Sequence, residues 1–240
     1  MAHLAETETV AAALATAAAG YRRFADRAAT APRGLATRLG GWNVGALIDH
    51  VCWGSAMEAA ALCAAAGRHA PTDSRSLEDA VAAFTDAARI PIAASSAVTL
   101  PTGTVPAAFA AQLFAFEAAL HDLDLAEALG ATGTALSADE LLACQVVLGP
   151  MLDLLGGASP HHAPPGEVTI DLIGLGDGLR LAASGGIWHR SVPTGRATTT
   201  VTGSPDEIVL FACGRLSADD VEVSGERQHA ERFKTYFPGP

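Results

Sequence analysis

The sequence predicts a two-domain chain of α plus α/β type, with an all-α bundle over residues 1–158 followed by a small α+β unit over 165–240. Three observations carry this. Alanine-rich stretches with apolar residues at helical spacing fill the first part of the chain, and alanine has the best intrinsic helix propensity. The run GGASPHHAPPGE (156–167) is rich in Gly, Pro and Ser, as a linker is. Beyond it the pattern changes to short alternating segments separated by turn residues.

Taken in order, residues 5–30 read as a first helix, followed by a loop through APRGLATRLGGW. Asn43 is a good N-cap for a second helix whose apolar positions Val44, Leu47, Ile48, Val51 and Met57 keep helical spacing, and Gly67 stops it. Ser76 caps a third helix over about 76–90. PIAASSAVTLPTGTVP reads as a long proline-bounded linker. Pro106 opens a fourth helix that Gly130 ends. Ser137 and Glu140 form a capping box for a fifth, running to about Leu155.

In the second unit, EVTIDLIG and LRLAAS alternate as strands across the turn Leu-Gly-Asp-Gly, and IWHRSV and ATTTVTG follow as strands. Ser204 to Glu207 is a second capping box, opening the helix EIVLFACGR. DVEVSG is a last strand and 226–236 a last short helix.

Composition narrows the function classes. Half of the 240 residues are apolar but only 5% are aromatic, so the core is built mainly of Ala, Leu and Val. The net charge is −11, with 14 arginines and one lysine in no clustered run. Phosphate neutralisation needs clustered cations, so nucleic acid is not expected as a partner, and an acidic shell disfavours anionic membranes. The N-terminus lacks the charged start of a secretory signal, and the alanine runs are too weakly apolar to span a bilayer. Four cysteines (Cys52, Cys63, Cys144, Cys213) lie far apart without CxxC spacing, as expected of reduced cytoplasmic thiols.

One stretch concentrates chemistry. FEAALHDLDLAEALG (116–130) sets Glu117, His121, Asp122 and Asp124 in an otherwise apolar helix. Glu117 and His121, four apart, share a helix face about 40° wide. A carboxylate near a bundle core is costly unless paired or metal-bound, and bundles do build metal sites from inward Glu and His. His50 on the second helix is the third candidate ligand. Two imidazoles and one carboxylate leave an open position, the pattern of catalytic zinc. The same residues also suit a solvated face with a satisfied core histidine, and spacing leaves both readings open. Asp124 either orients His121 or makes a salt bridge. Asp49 and Asp122 read as solvated neighbours. His161 and His162 fall in the linker, and His3, His69, His189 and His229 have no partners that spacing reveals.

WNVGALIDHV, EAALHDLDLAEALG and VTGSPDEIVLFACGR with DVEVSGE, in that order, resemble the three motifs of the mycothiol-dependent maleylpyruvate isomerase family. The resemblance implies a DinB-like four-helix bundle followed by a small sterol-carrier-like α+β domain. It implies Zn2+ or another divalent metal on His50, Glu117 and His121, a catalytic Arg215, and mycothiol as thiol cosubstrate acting on a small electrophile. It implies isomerisation through thiol addition, with a mycothiol S-transferase as one alternative and a ligand-binding protein with a structural metal as another. Two departures stand out. Asn43 replaces the usual Ser or Thr, and Leu123 replaces the Trp common before the Asp, which is expected to reshape the pocket floor.

Overall fold

The computed structural model describes residues 2–69, 76–132, 135–158, 163–164 and 166–238. Packing divides the chain into two compact units, Met1–Ala143 and Cys144–Pro240.

The first unit is built on four helices, α1 (Ala2–Ala28), α2 (Val44–Ala65), α3 (Leu77–Ala87) and α4 (Ala107–Ala128). Asn43 caps α2, its Oδ1 accepting from the Ala46 amide at 2.9 Å, and Ser76 caps α3 through the Asp79 amide at 3.1 Å. Gly130 closes α4 with φ +82°, a conformation in which a Cβ would be strained. Helix α1 lies along α4 and α2 along α3, with further contact between α2 and α4. The alanines explain the close approach of α1 to α4. A Cβ on Gly20 would stand 3.0 Å from the Ala118 Cβ, and Ala17, Ala18, Ala110, Ala111 and Ala115 are all buried. Tyr21, Phe84 and Phe114 fill the wider part of the core, with ring centroids 5.0 and 6.0 Å apart.

The expected linker before α4 is instead partly a hairpin. Strands β1 (Ala97–Leu100) and β2 (Gly103–Pro106) pair antiparallel. Val98 and Leu100 are buried while Ala97 and Thr99 face out, so the period of two is present over only four residues. Flanking prolines obscure so short a signal.

Helix α5 (Ala138–Ala158) starts in the first unit and continues into the second. Its capping box is formed, with Glu140 Oε2 accepting from the Ser137 amide at 2.7 Å. Composition puts the boundary after residue 158, whereas packing puts it after residue 143. The reason is visible at Gly156, where a Cβ would lie 3.1 Å from both Trp188 and Phe237. The Gly- and Pro-rich run marks the end of a helix, and the change of core comes earlier. By length and composition alone α5 is apolar enough to cross a membrane, with mean hydropathy 1.3 over Ala138–Gly157, a property it shares with core helices. It buries Ala143, Cys144, Val147, Leu148 and Leu152.

The second unit holds a five-stranded mixed sheet of β3 (Val168–Ile173), β4 (Leu179–Ser184), β5 (Ile187–Ser191), β6 (Thr199–Thr202) and β7 (Glu222–Gly225), in the order β5-β4-β3-β6-β7. Only β3 and β6 pair in parallel. Asp171 and Arg180 face each other across β3 and β4 and are bound bidentately at 2.6 and 2.7 Å. The Ser204 capping box opens α6 (Pro205–Ala212). The expected single last helix is two short ones, α7 (Arg227–Glu231) and α8 (Phe233–Tyr236), separated at Arg232. They bring Phe233 and Phe237 to Phe211 and Trp188, with centroids 4.9 to 5.1 Å apart.

Candidate metal centre

His50 comes from the second turn of α2 and Glu117 and His121 from successive turns of α4. Contact between these helices brings the three side chains together. One ligand atom from each lies within 4.8 Å of the other two. His121 is 3% exposed, whereas His50 and Glu117 are half-buried, so the cluster has a closed and an accessible side. The His50 ring stands 4.9 Å from that of His121 at 78°, and 5.0 Å from that of Trp42 at 60°.

The charge pattern around His121 is unusual. Nδ1 is 3.2 Å from Asp124 Oδ2, and Asp124 is itself 1% exposed. Nε2 is 3.3 Å from Glu117 Oε2, yet makes no well-directed hydrogen bond and is buried. Burial alone would lower the pKa of this imidazole, but the Asp124 and Glu117 carboxylates beside it outweigh burial and push it up to about 9. His50 moves the opposite way, held below the ordinary histidine value by burial first and by His121 second. A neutral His50 is in the form that binds metals.

These residues fit a divalent cation. Once Nδ1 donates to Asp124, Nε2 carries either a lone pair aimed toward a carboxylate or an extra proton. A cation bound by Nε2 and Glu117 removes that conflict, and Asp124 then acts as the carboxylate that fixes the ring of a ligating histidine. Imidazole and carboxylate donors suit zinc and its neighbours in the first transition row.

Two buried residues not singled out from the sequence feel the charge of Glu117. Tyr21 Oη of α1 donates to Glu58 Oε2 of α2 at 2.8 Å, and both are buried. Burial, then the Glu117 charge, raises Glu58 well above the carboxylate range, partly opposed by the Tyr21 hydrogen bond. Burial also raises Tyr21, followed by Glu58 and Glu117. Glu58 lies eight residues past His50 and its partner Tyr21 sits on another helix, so spacing gives no signal.

Asp49 is exposed, as expected, and pairs with Arg33 at 2.6 Å. Other expectations come out differently. Asp122 is no solvated neighbour: it is 6% exposed, held by Arg23 at 3.0 Å and Arg27 at 2.8 Å from α1. Leu123 adjoins these arginines, Asp122 and Glu140 in a cavity of about 290 Å³, so its departure from the family pattern falls beside that ion cluster. His229 has partners after all, with Nδ1 3.0 Å from Tyr236 Oη and Nε2 3.3 Å from Glu226. His161 and His162 lie outside the described residues. Arg215, in the second unit, follows α6, is 7% exposed and donates to the Cys213 carbonyl at 2.9 Å.

The chain is thus a two-unit protein, helical and then mixed α+β, with two histidines and a glutamate converging between helices. Two solved structures share its fold: mycothiol-dependent maleylpyruvate isomerase and a histidine-to-alanine mutant of that enzyme. Each has a TM-score of 0.59 over 88% of this chain and 91% of its own, at 21% and 20% identity respectively. No family model and no curated protein matches the chain. The shared fold agrees with the expected arrangement of a helical part followed by a mixed α+β part.

Proposed function

We propose that this protein is a metal- and thiol-dependent enzyme of the mycothiol-dependent maleylpyruvate isomerase family, acting on a small electrophilic substrate. In this reading the helical unit is the DinB-like bundle and the sheet unit the sterol-carrier-like domain, and the enzyme works in the cytoplasm with none of its four cysteines in a disulfide. The observation that carries the proposal is the convergence of His50, Glu117 and His121 around a buried imidazole nitrogen that lacks a hydrogen bond.

His50, Glu117 and His121 would hold the ion, and Asp124 would keep the His121 ring in place. A bound zinc would supply the Lewis acidity that makes a thiol a thiolate at neutral pH. The half-buried edges of His50 and Glu117 give the thiol access, while the buried side excludes water. Arg215 would hold a substrate carboxylate through its planar fork of donors and balance the enolate charge that thiol addition creates. The thiol adds to an activated C=C bond, the resulting single bond rotates, and elimination returns the thiol with the isomerised alkene. An S-transferase would use the same residues and retain the adduct.

Metal analysis of the protein and of the His50→Ala and Glu117→Ala variants tests the site. Near-stoichiometric zinc is expected in the wild type after metal-replete growth, with strong loss in both variants. Equally low zinc in all three sinks the proposal. Incubating the zinc form with mycothiol and electrophilic alkenes then separates isomerised product without thiol consumption from stable adducts.

A further inference from the structure

Tryptophan borders the His50 imidazole. The chain has three tryptophans, and two of them stand by this one ring, Trp42 at 5.0 Å and Trp53 at 6.5 Å between centroids. Trp42 is half-buried, whereas Trp53 is 58% exposed. A lone exposed aromatic needs no explanation, but this one shares a patch of α2 with a candidate metal ligand. Asp49 and Trp53 are four residues apart, as are His50 and Gly54, so the four side-chain positions adjoin on the helix surface.

Gly54 adds a second sign of a ligand. Glycine inside a helix is destabilising relative to alanine, and α2 is otherwise rich in alanine. The other glycine of α2, Gly45, has a packing reason, since a Cβ there would stand 3.1 Å from Asn43 Oδ1 and 3.2 Å from the Arg33 carbonyl oxygen. A Cβ on Gly54 would meet no atom within 4 Å. Packing does not demand this glycine. Its bare backbone leaves an open shelf beside Trp53, one turn along from His50.

We infer that Trp53 and Gly54 form the subsite for the sugar portion of the thiol cosubstrate, with one sugar ring stacked on the indole face. The inference deepens the function proposed above and rests on it for the identity of the ligand. Mycothiol carries its thiol on an acetylated cysteine, joined by an amide to an amino sugar and through that to inositol. The extended chain from sulfur to sugar ring spans about 6 Å, comparable with the 6.5 Å between the His50 and Trp53 rings. A sugar ring presents C–H groups that pack on the negative face of an indole, while its hydroxyls stay at the edge. Polar partners for those hydroxyls adjoin Trp53: Asp49 is exposed and paired with Arg33 at 2.6 Å.

The sugar subsite is tested without zinc, thiol or turnover. The probe is N-acetylglucosaminyl-inositol, which is mycothiol without its cysteine. It is titrated into metal-free protein labelled with nitrogen-15, whose three tryptophans give three indole N–H resonances. The Trp53 resonance, assigned with Trp53→Phe, is expected to shift saturably, and that of Trp188, buried in the second unit, to stay still. By calorimetry on the zinc form, Trp53→Ala should weaken mycothiol binding about tenfold. The same variant should bind N-acetylcysteine, which lacks the sugars, as the wild type does. Trp53→Phe should keep most of the mycothiol affinity. Gly54→Leu should weaken mycothiol binding without lowering Tm, because leucine favours helix more than glycine does. An unmoved or unsaturable Trp53 resonance, wild-type mycothiol affinity in Trp53→Ala, or equal weakening of both thiols overturns the subsite. A saturable Trp53 shift in a protein that takes up no zinc and turns over no substrate discards the proposed reaction and leaves the sugar subsite standing.

Discussion

His121 has a carboxylate on each side, Asp124 at 3.2 Å and Glu117 at 3.3 Å, and these two have different work. Glu117 shares the accessible edge with His50, so it is placed to bind a cation, whereas Asp124 is sealed behind the ring and can only hold it. Asp124→Asn keeps the shape and removes the charge. A 10- to 100-fold drop in zinc affinity is expected, the usual effect of losing a carboxylate behind a ligating histidine, measured by competition with a chromophoric chelator. Unchanged affinity would make Asp124 a plain structural partner. At this scale the sequence exposed the i, i+4 pair of Glu117 and His121 but misjudged Asp122. Angular position on α4 does not reveal that α1 presents Arg23 and Arg27 to it. Glu58 stayed hidden for the same reason, since its partner Tyr21 is 37 residues away.

Helix α2 carries His50 within two turns of its start, so the cap that fixes that start also fixes the ligand. The Asn43 side chain takes up one of the amides that every helix leaves unsatisfied at its first turn. Asn43→Ala should cost about 1 kcal/mol of stability in chemical denaturation, and Asn43→Ser only a few tenths. Equal midpoints for all three proteins would mean that tertiary packing alone sets this terminus. Caps are local, which is why those of α2, α3, α5 and α6 were legible at Asn43, Ser76, Ser137 and Ser204. The β1–β2 hairpin was not, because four-residue strands hold too few alternations to stand out against three prolines.

For the whole molecule, a cation that binds only the folded chain must stabilise it by mass action. Zinc at a hundred times its dissociation constant should add about 2.7 kcal/mol, read as a rise in Tm that a chelator reverses and that His50→Ala lacks. The sign of its pH dependence follows from His121. With its pKa raised to about 9, the metal-free protein draws stability from the protonated ring that is fully present below the ordinary histidine value of about 6.5 and is lost as pH rises toward 9. The metal displaces that same proton, so the zinc-induced rise in Tm should grow from pH 6 to pH 8. A rise that shrinks over this interval would show that His121 is not a ligand.

The sequence by itself determined the first five helices, the strands of the second unit, the helix caps and the residue types that could grip a metal, since these depend on spacing within a few turns of chain. Only tertiary structure decided that His50 meets Glu117 and His121, that α5 joins the second core before residue 158, and that Arg23 and Arg27 hold Asp122. Each of these rests on residues far apart in the chain, and their proximity is set by how helices and sheet exclude water together, which no local pattern encodes.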